Sequence, residues 1–134
     1  MTQGGDAAEQ IVRLSLEGME VAVKVSGESA KNIALILMAV LREEHKTKGK
    51  ARLSSMIRSG KELKVFSVQN KDLEKFAREA KRYGVLYCVL KDKGDRSSTG
   101  AADIIARAED AAKIQRIVDR FGLSKVDRGS AVSE

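Results

Sequence analysis

Two stretches of the chain, 65–84 and 103–122, run in the same order: an apolar strand-like segment, a capping residue, an amphipathic helix, an aromatic residue and a glycine. Shifting one onto the other lays Phe76 on Ile114, Arg82 on Arg120 and Tyr83 on Phe121. Two strand–helix units joined through a further apolar strand predict βαβ-βα, most of a ferredoxin-like sandwich. The fold class is therefore α+β: a single domain with a small, mainly antiparallel sheet and helices packed on one of its faces.

Local signals support each unit. Leu63 to Val68 reads as a strand, and Asn70 is placed to cap a helix that buries Leu73, Phe76, Ala77 and Ala80. Asp72 and Glu74 in its first turn and Lys81 and Arg82 in its last complement the helix dipole, and Gly84 supplies the left-handed stop. Val85 to Leu90 is apolar throughout, the pattern of a central strand covered on both faces. After a polar loop, 91–100, Asp103 to Arg107 is another strand. Asp110 then caps a helix with Ala111, Ile114, Ile117, Val118 and Phe121 inward, closed by Gly122.

The N-terminal half is more ambiguous. Val12, Leu14 and Leu16 alternate, Glu17-Gly18 intervenes, and Met19, Val21, Val23 and Val25 alternate again. Period two and β-branched residues favour a hairpin, one strand of which would complete the sheet. A helix with Glu20 and Lys24 on its polar side competes for the same residues. Ser26 or Ser29 can cap a helix running to about His45, apolar over more than half its circumference. A connection across 46–50 and a short amphipathic helix follow, with Leu53, Met56 and Ile57 inward and Arg52, Ser55 and Arg58 outward. The expected organisation is a flexible tail at 1–9, one domain at 10–123 and a flexible polar tail at 124–134. Within the domain, 10–45 is hairpin and apolar helix, 46–60 a basic connector and 61–123 the βαββα part.

Composition excludes several functions. With 43% hydrophobic and 33% charged residues, the chain is globular rather than disordered. Its one cysteine, Cys88, cannot form an internal disulfide, and its apolar setting suggests a buried thiol in a reducing compartment. The chain has no apolar run near the roughly 20 residues that span a bilayer, and residues 1–10 are polar and acidic. Cytoplasmic localisation without membrane insertion is the expectation. One histidine and one cysteine cannot build a zinc cage. His45 lies at a basic helix end, better suited to solvent or phosphate than to general-base work. Gly49-Lys50 lacks the glycine a phosphate loop needs, since Glu44 stands there. Asp92 and Asp95 are interleaved with Lys93 and Arg96, the composition of a solvated turn rather than a calcium loop. Tyr87 is expected to pack, while Tyr83 is open to stacking on a base. No catalytic set emerges, so a non-enzyme without cofactor or metal is expected.

What remains is charge. Between Arg42 and Lys64 eight cations face three glutamates, which places +5 of the chain's net +6 in one segment. Such a stripe is the footprint of a polyanion, with a solvated basic loop as the alternative. Lys46, Lys48, Lys50, Arg52, Arg58, Lys61 and Lys64 are the candidate nucleic-acid-binding residues. Few aromatics lie among them, which suits phosphate contacts rather than base stacking.

Several blocks carry a family likeness: Lys-Gly-Lys-Ala-Arg-Leu at 48–53, Arg-Ser-Gly-Lys-Glu-Leu-Lys-Val-Phe at 58–66, Lys-Arg-Tyr-Gly-Val-Leu-Tyr-Cys-Val-Leu-Lys-Asp at 81–92 and Arg-Ala-Glu-Asp-Ala at 107–111. Together the chain, from about Val12 to Phe121, resembles the PcfB-like family of conjugative plasmids and integrative conjugative elements of Gram-positive bacteria. The resemblance implies an accessory factor of conjugative transfer, with transferring DNA as the polyanion and a relaxase or coupling ATPase as protein partner. It implies no catalytic residues. An adaptor that docks on that machinery without touching DNA is the alternative, and the greasy helix offers a surface for a homo-oligomer.

Overall fold

The computed structural model describes residues 9–16, 18–27, 30–42, 48–90 and 100–133. The alternating N-terminal run forms an antiparallel hairpin, β1 (Glu9–Leu16) and β2 (Met19–Ser26), in unbroken register from Glu9↔Ser26 to Leu16↔Met19. Val12, Leu14, Leu16, Val23 and Val25 are all buried on one side of it, as period two requires. The competing helix is thereby excluded. Two helices follow, α1 (Ala30–Arg42) and α2 (Lys48–Arg58), then β3 (Leu63–Gln69), α3 (Asn70–Tyr83), β4 (Tyr87–Leu90) and β5 (Ala101–Arg107). A 3-10 turn, Ala108–Asp110, leads into α4 (Ala111–Phe121), and β6 (Lys125–Ser133) ends the fold.

The six strands form one sheet in the order β1-β2-β6-β3-β5-β4, antiparallel at every junction. From β3 onward the chain runs βαββαβ with spatial order β6-β3-β5-β4, the complete split-βαβ topology of the ferredoxin-like sandwich. The α+β class predicted from the two repeated units is what the chain adopts. Its closing strand differs from expectation. The last segment, expected to be a flexible tail from 124, is a nine-residue strand that lies between β2 and β3 and joins the hairpin to the rest of the sheet.

That strand escapes a hydrophobicity reading because its role demands small residues. Where β2 ends, Gly27 meets Gly129 of β6: a Cβ on Gly27 would lie 2.6 Å from the Gly129 Cα and 2.9 Å from the Arg128 carbonyl oxygen. A Cβ on Gly129 would run into the Ser26 carbonyl oxygen and stand 2.9 Å from Cδ1 of Ile33 in α1. The two backbones approach this closely only because neither residue has a side chain. Beside the crossing, β6 skips Arg128 in its pairing with β3, a bulge between Val65 and Phe66.

Helices cover both faces of the sheet, not one. α1 and α2 pack with β1 and β2 over Leu63, Val65, Cys88, Ile105 and Ala131. α3 and α4 pack over Phe66, Val68, Ile104 and Ala106 on the other side. This explains a second departure: β4 is an edge strand, not a central one. Its apolar run reports burial between two helix layers, since Cys88 faces the α2 side and Tyr87 packs edge-on against Phe76 of α3 at 5.6 Å. Covered faces and a central position write the same pattern.

The helix starts also differ in detail. Ser26 belongs to β2, where its hydroxyl bonds that of Ser130 at 2.8 Å, so it does not cap α1, which begins at Ala30; Ser29 and His45 lie outside the described residues. Asn70 is the first residue of α3 and Gln69 its N-cap, with no side-chain cap bond. Asp110 occupies the N-cap position of α4 but gives its buried carboxylate to Arg107, at 2.9 Å and 3.0 Å, rather than to the helix amides. Gly84 and Gly122 close α3 and α4 in the left-handed conformation, as predicted.

Candidate nucleic-acid interface

The sequence KGKARLSSMIR folds as one helix, α2, because Leu53, Met56 and Ile57 supply an apolar stripe that sinks to 4% exposure or less against β4 and β5. Lys48 and Lys50, expected in an open connection, are in its first turn. Arg52, Ser55 and Arg58 follow on its exposed side, at the spacing of three that keeps residues on one helix face. α2 thus carries four cations and no acidic residue. Two of the cations, Lys48 and Lys50, belong to the helix's first turn, the end at which the dipole is positive.

Arg52 is anchored in place. Its Nη1 donates to the Tyr87 carbonyl oxygen at 3.0 Å, and its guanidinium lies 5.8 Å from the centre of the Tyr87 ring. A guanidinium has five donors, so this bond holds the group at the sheet edge and leaves others for a phosphate.

The remaining candidates do not extend this helix. Lys61 donates to Oε1 of Glu109 at 2.9 Å, in the turn before α4. That hydrogen bond from Lys61 holds the Glu109 carboxyl below the usual carboxylate range, with Lys61, Arg107 and Lys113 charges adding to it and desolvation opposing. Lys64 lies on β3, its Nζ 3.3 Å from Glu62, and borders a cleft beside α4. Lys46 lies outside the described residues, as do Asp92 and Asp95. The seven-residue stripe therefore divides: α2 collects Lys48, Lys50, Arg52 and Arg58, while Lys61 and Lys64 belong to the opposite layer. Sequence order alone concealed this division, since β3 carries the chain from one face of the sheet to the other.

Among the described residues, no group of three or more His, Cys, Asp and Glu could hold a metal ion, and no helix is long and apolar enough to cross a membrane. Tyr83, open from sequence, is half-buried and accepts a long bond from Arg120 at 3.4 Å. Cys88 is buried, and desolvation pushes its thiol up to about 11, against an opposing pull from the Arg52 charge. At pH 8 the folded chain is expected to react with iodoacetamide about 100-fold more slowly than the unfolded chain, as a two-unit shift dictates. Equal rates in buffer and denaturant would show the thiol to be open. Between its ordinary value of 9.0 and about 11 the folded chain keeps a proton that the unfolded one has lost, so stability falls as pH rises through that window.

Residues 30–132 match the family described as a protein of unknown function (DUF3801). The chain belongs to the DUF3801 family. No curated protein and no solved structure showed a significant match. The stretch that identifies this DUF3801 protein begins at α1 and contains α2 and nearly the whole βαββαβ unit, whereas the β1–β2 hairpin precedes it. The candidate interface thus lies within the DUF3801 region and the hairpin outside it.

Proposed function

We propose that this protein is a non-enzymatic accessory factor that binds DNA through the phosphate backbone, using the exposed side of α2. The observation that carries the reading is the composition of that helix: four cations, no acid, and two lysines at the end where the dipole is already positive. Free amide groups at a helix start favour phosphate, and neighbouring lysines reinforce them. A phosphate there would turn an unfavourable local arrangement into a favourable one, and functional sites are where proteins break local rules of this kind. The resemblance to PcfB-like proteins makes DNA in conjugative transfer the natural polyanion and a cytoplasmic relaxase or coupling ATPase the natural protein partner.

Fluorescence anisotropy with labelled single- and double-stranded DNA at low salt tests this directly. Saturable binding to either is expected, without strong preference among sequences, because phosphate contacts carry no base information. An absence of binding to both would remove the reading. The adaptor alternative rests on Leu35, which stands 57% exposed on α1 although Ile33, Ala34 and Leu37 around it are buried. On that reading, the chain would associate with a transfer protein in the absence of DNA.

A further inference from the structure

A cleft of about 390 Å³ opens between α4 and β6, on the face of the sheet opposite α2. It exists for a topological reason. β2 pairs with β6 only from Val23↔Ser133 to Ser26↔Ser130, then leaves the sheet at Gly27 for α1. The outer side of β6 beyond that point has no neighbouring strand, and the bulge at Arg128 bends it further. Phe66 and Ile114 line the cleft with apolar surface. Lys64, Arg107 and Lys125 bring three cations to its wall, each with a carboxylate partner: Glu62 for Lys64 at 3.3 Å, Asp110 and Glu109 for Arg107, and Asp127, itself in the wall, for Lys125.

Lys125 is held over the Phe66 ring at 5.5 Å, its side chain 18% exposed, with Nζ bonded to the solvent-exposed carboxylate of Asp127 at 2.6 Å. Arg107 is fixed by the buried Asp110. Ser26 and Ser130 share one hydrogen bond between their hydroxyls, so the second of the two protons is available to an acceptor in the cleft. Lysines, an arginine and a hydroxyl proton form a donor set for a dianionic oxygen cluster. The volume falls at the lower end of the range for small organic ligands, about 300–1,000 Å³.

We propose that this cleft binds a small organic phosphate monoester, with the phosphate held by Lys64, Lys125 and the serine pair and the organic part lying on Phe66 and Ile114. The site is separate from the α2 interface and does not depend on it. The sequence conceals it, because residues 124–134 read as a tail and Lys64 reads as part of the basic run.

The test is titration calorimetry and amide-shift mapping with adenosine 5′-monophosphate, adenosine and inorganic phosphate as probes. The monophosphate is expected to bind more tightly than about 1 mM and to shift the amides of Ser26, Lys64 and Ser130 but not those of Arg52 to Arg58. Lys64→Ala and Lys125→Ala, each checked by an unchanged thermal transition, are expected to weaken it at least about tenfold, the equivalent of about 1.4 kcal/mol. Arg52→Glu with Arg58→Glu should leave it intact, so failure of the DNA reading and failure of this one are told apart. A 5′-phosphorylated dinucleotide that competes equally would identify a strand end as the natural source, and exclusion of it a free ester. No binding of the monophosphate, binding unaffected by either lysine variant, or equal affinity for adenosine or for inorganic phosphate would overturn the proposal.

Discussion

A chain ending at Leu123 is expected to lose its cooperative thermal transition altogether. The eleven residues removed contain β6, which pairs on one side with β2 and on the other with β3. Without it the hairpin has no sheet to join, and the edge of β3 exposes a row of unpaired backbone groups. A domain of this size has about 5–15 kcal/mol of stability in hand, less than the loss of a central strand removes. Gly129→Val isolates the same point in a full-length chain. Its side chain must displace the Ser26 carbonyl or Ile33, an overpacking that costs about 1–3 kcal/mol or more. A fall of about 5–10 °C in Tm follows for a chain of this length, whereas Ser124→Ala, on an exposed residue, should change little. A truncated chain that melts cooperatively at the full-length temperature would contradict the topology.

Arg52→Glu combined with Arg58→Glu is expected to cut DNA affinity by at least about tenfold at moderate salt and to make the salt dependence shallower by about two units. Both side chains are exposed on α2 and neither contributes to its buried stripe; the variant gives up the Arg52 bond to the Tyr87 carbonyl oxygen, worth about 0.5–1.5 kcal/mol, a loss the fold should withstand. Lys61→Glu is the control. Its partner Glu109 lies in the turn before α4, away from the α2 face, and its loss should alter DNA affinity by a smaller factor than either arginine. Circular dichroism verifies that both variants are folded, which separates lost contacts from lost structure.

Much of this fold is legible in the sequence. Period two around Gly18, the stripes of α3 and α4 and the glycine stops at 84 and 122 are local signals that the fold keeps, whereas the side-chain caps expected at Ser26, Asn70 and Asp110 gave way to other partners or positions. What was hidden depends on contacts between distant segments. β6 reads as a tail because a glycine crossing and an interior position beside α1 call for Gly129, Ser130 and Ala131 rather than for valine and isoleucine. β4 reads as central because helices cover both its faces, burying Cys88 and half-burying Tyr87 and Val89. The basic segment reads as one run of charge, but its division between two faces follows from where β3 crosses the core. Nothing in residue spacing shows that Lys125 and Lys64 share a cleft, since 61 positions separate them.

The claim on which the functional account turns is that α2 reads phosphates. Anisotropy of labelled double-stranded DNA across a salt series tests it most directly, for the wild-type chain beside Arg52→Glu with Arg58→Glu. A log-linear decline is expected for the wild type, with a slope near −0.9 for each cation engaged, and a clearly smaller slope for the variant. Identical slopes for the two proteins would contradict it, and would leave α2 as an exposed basic helix with no part in binding DNA.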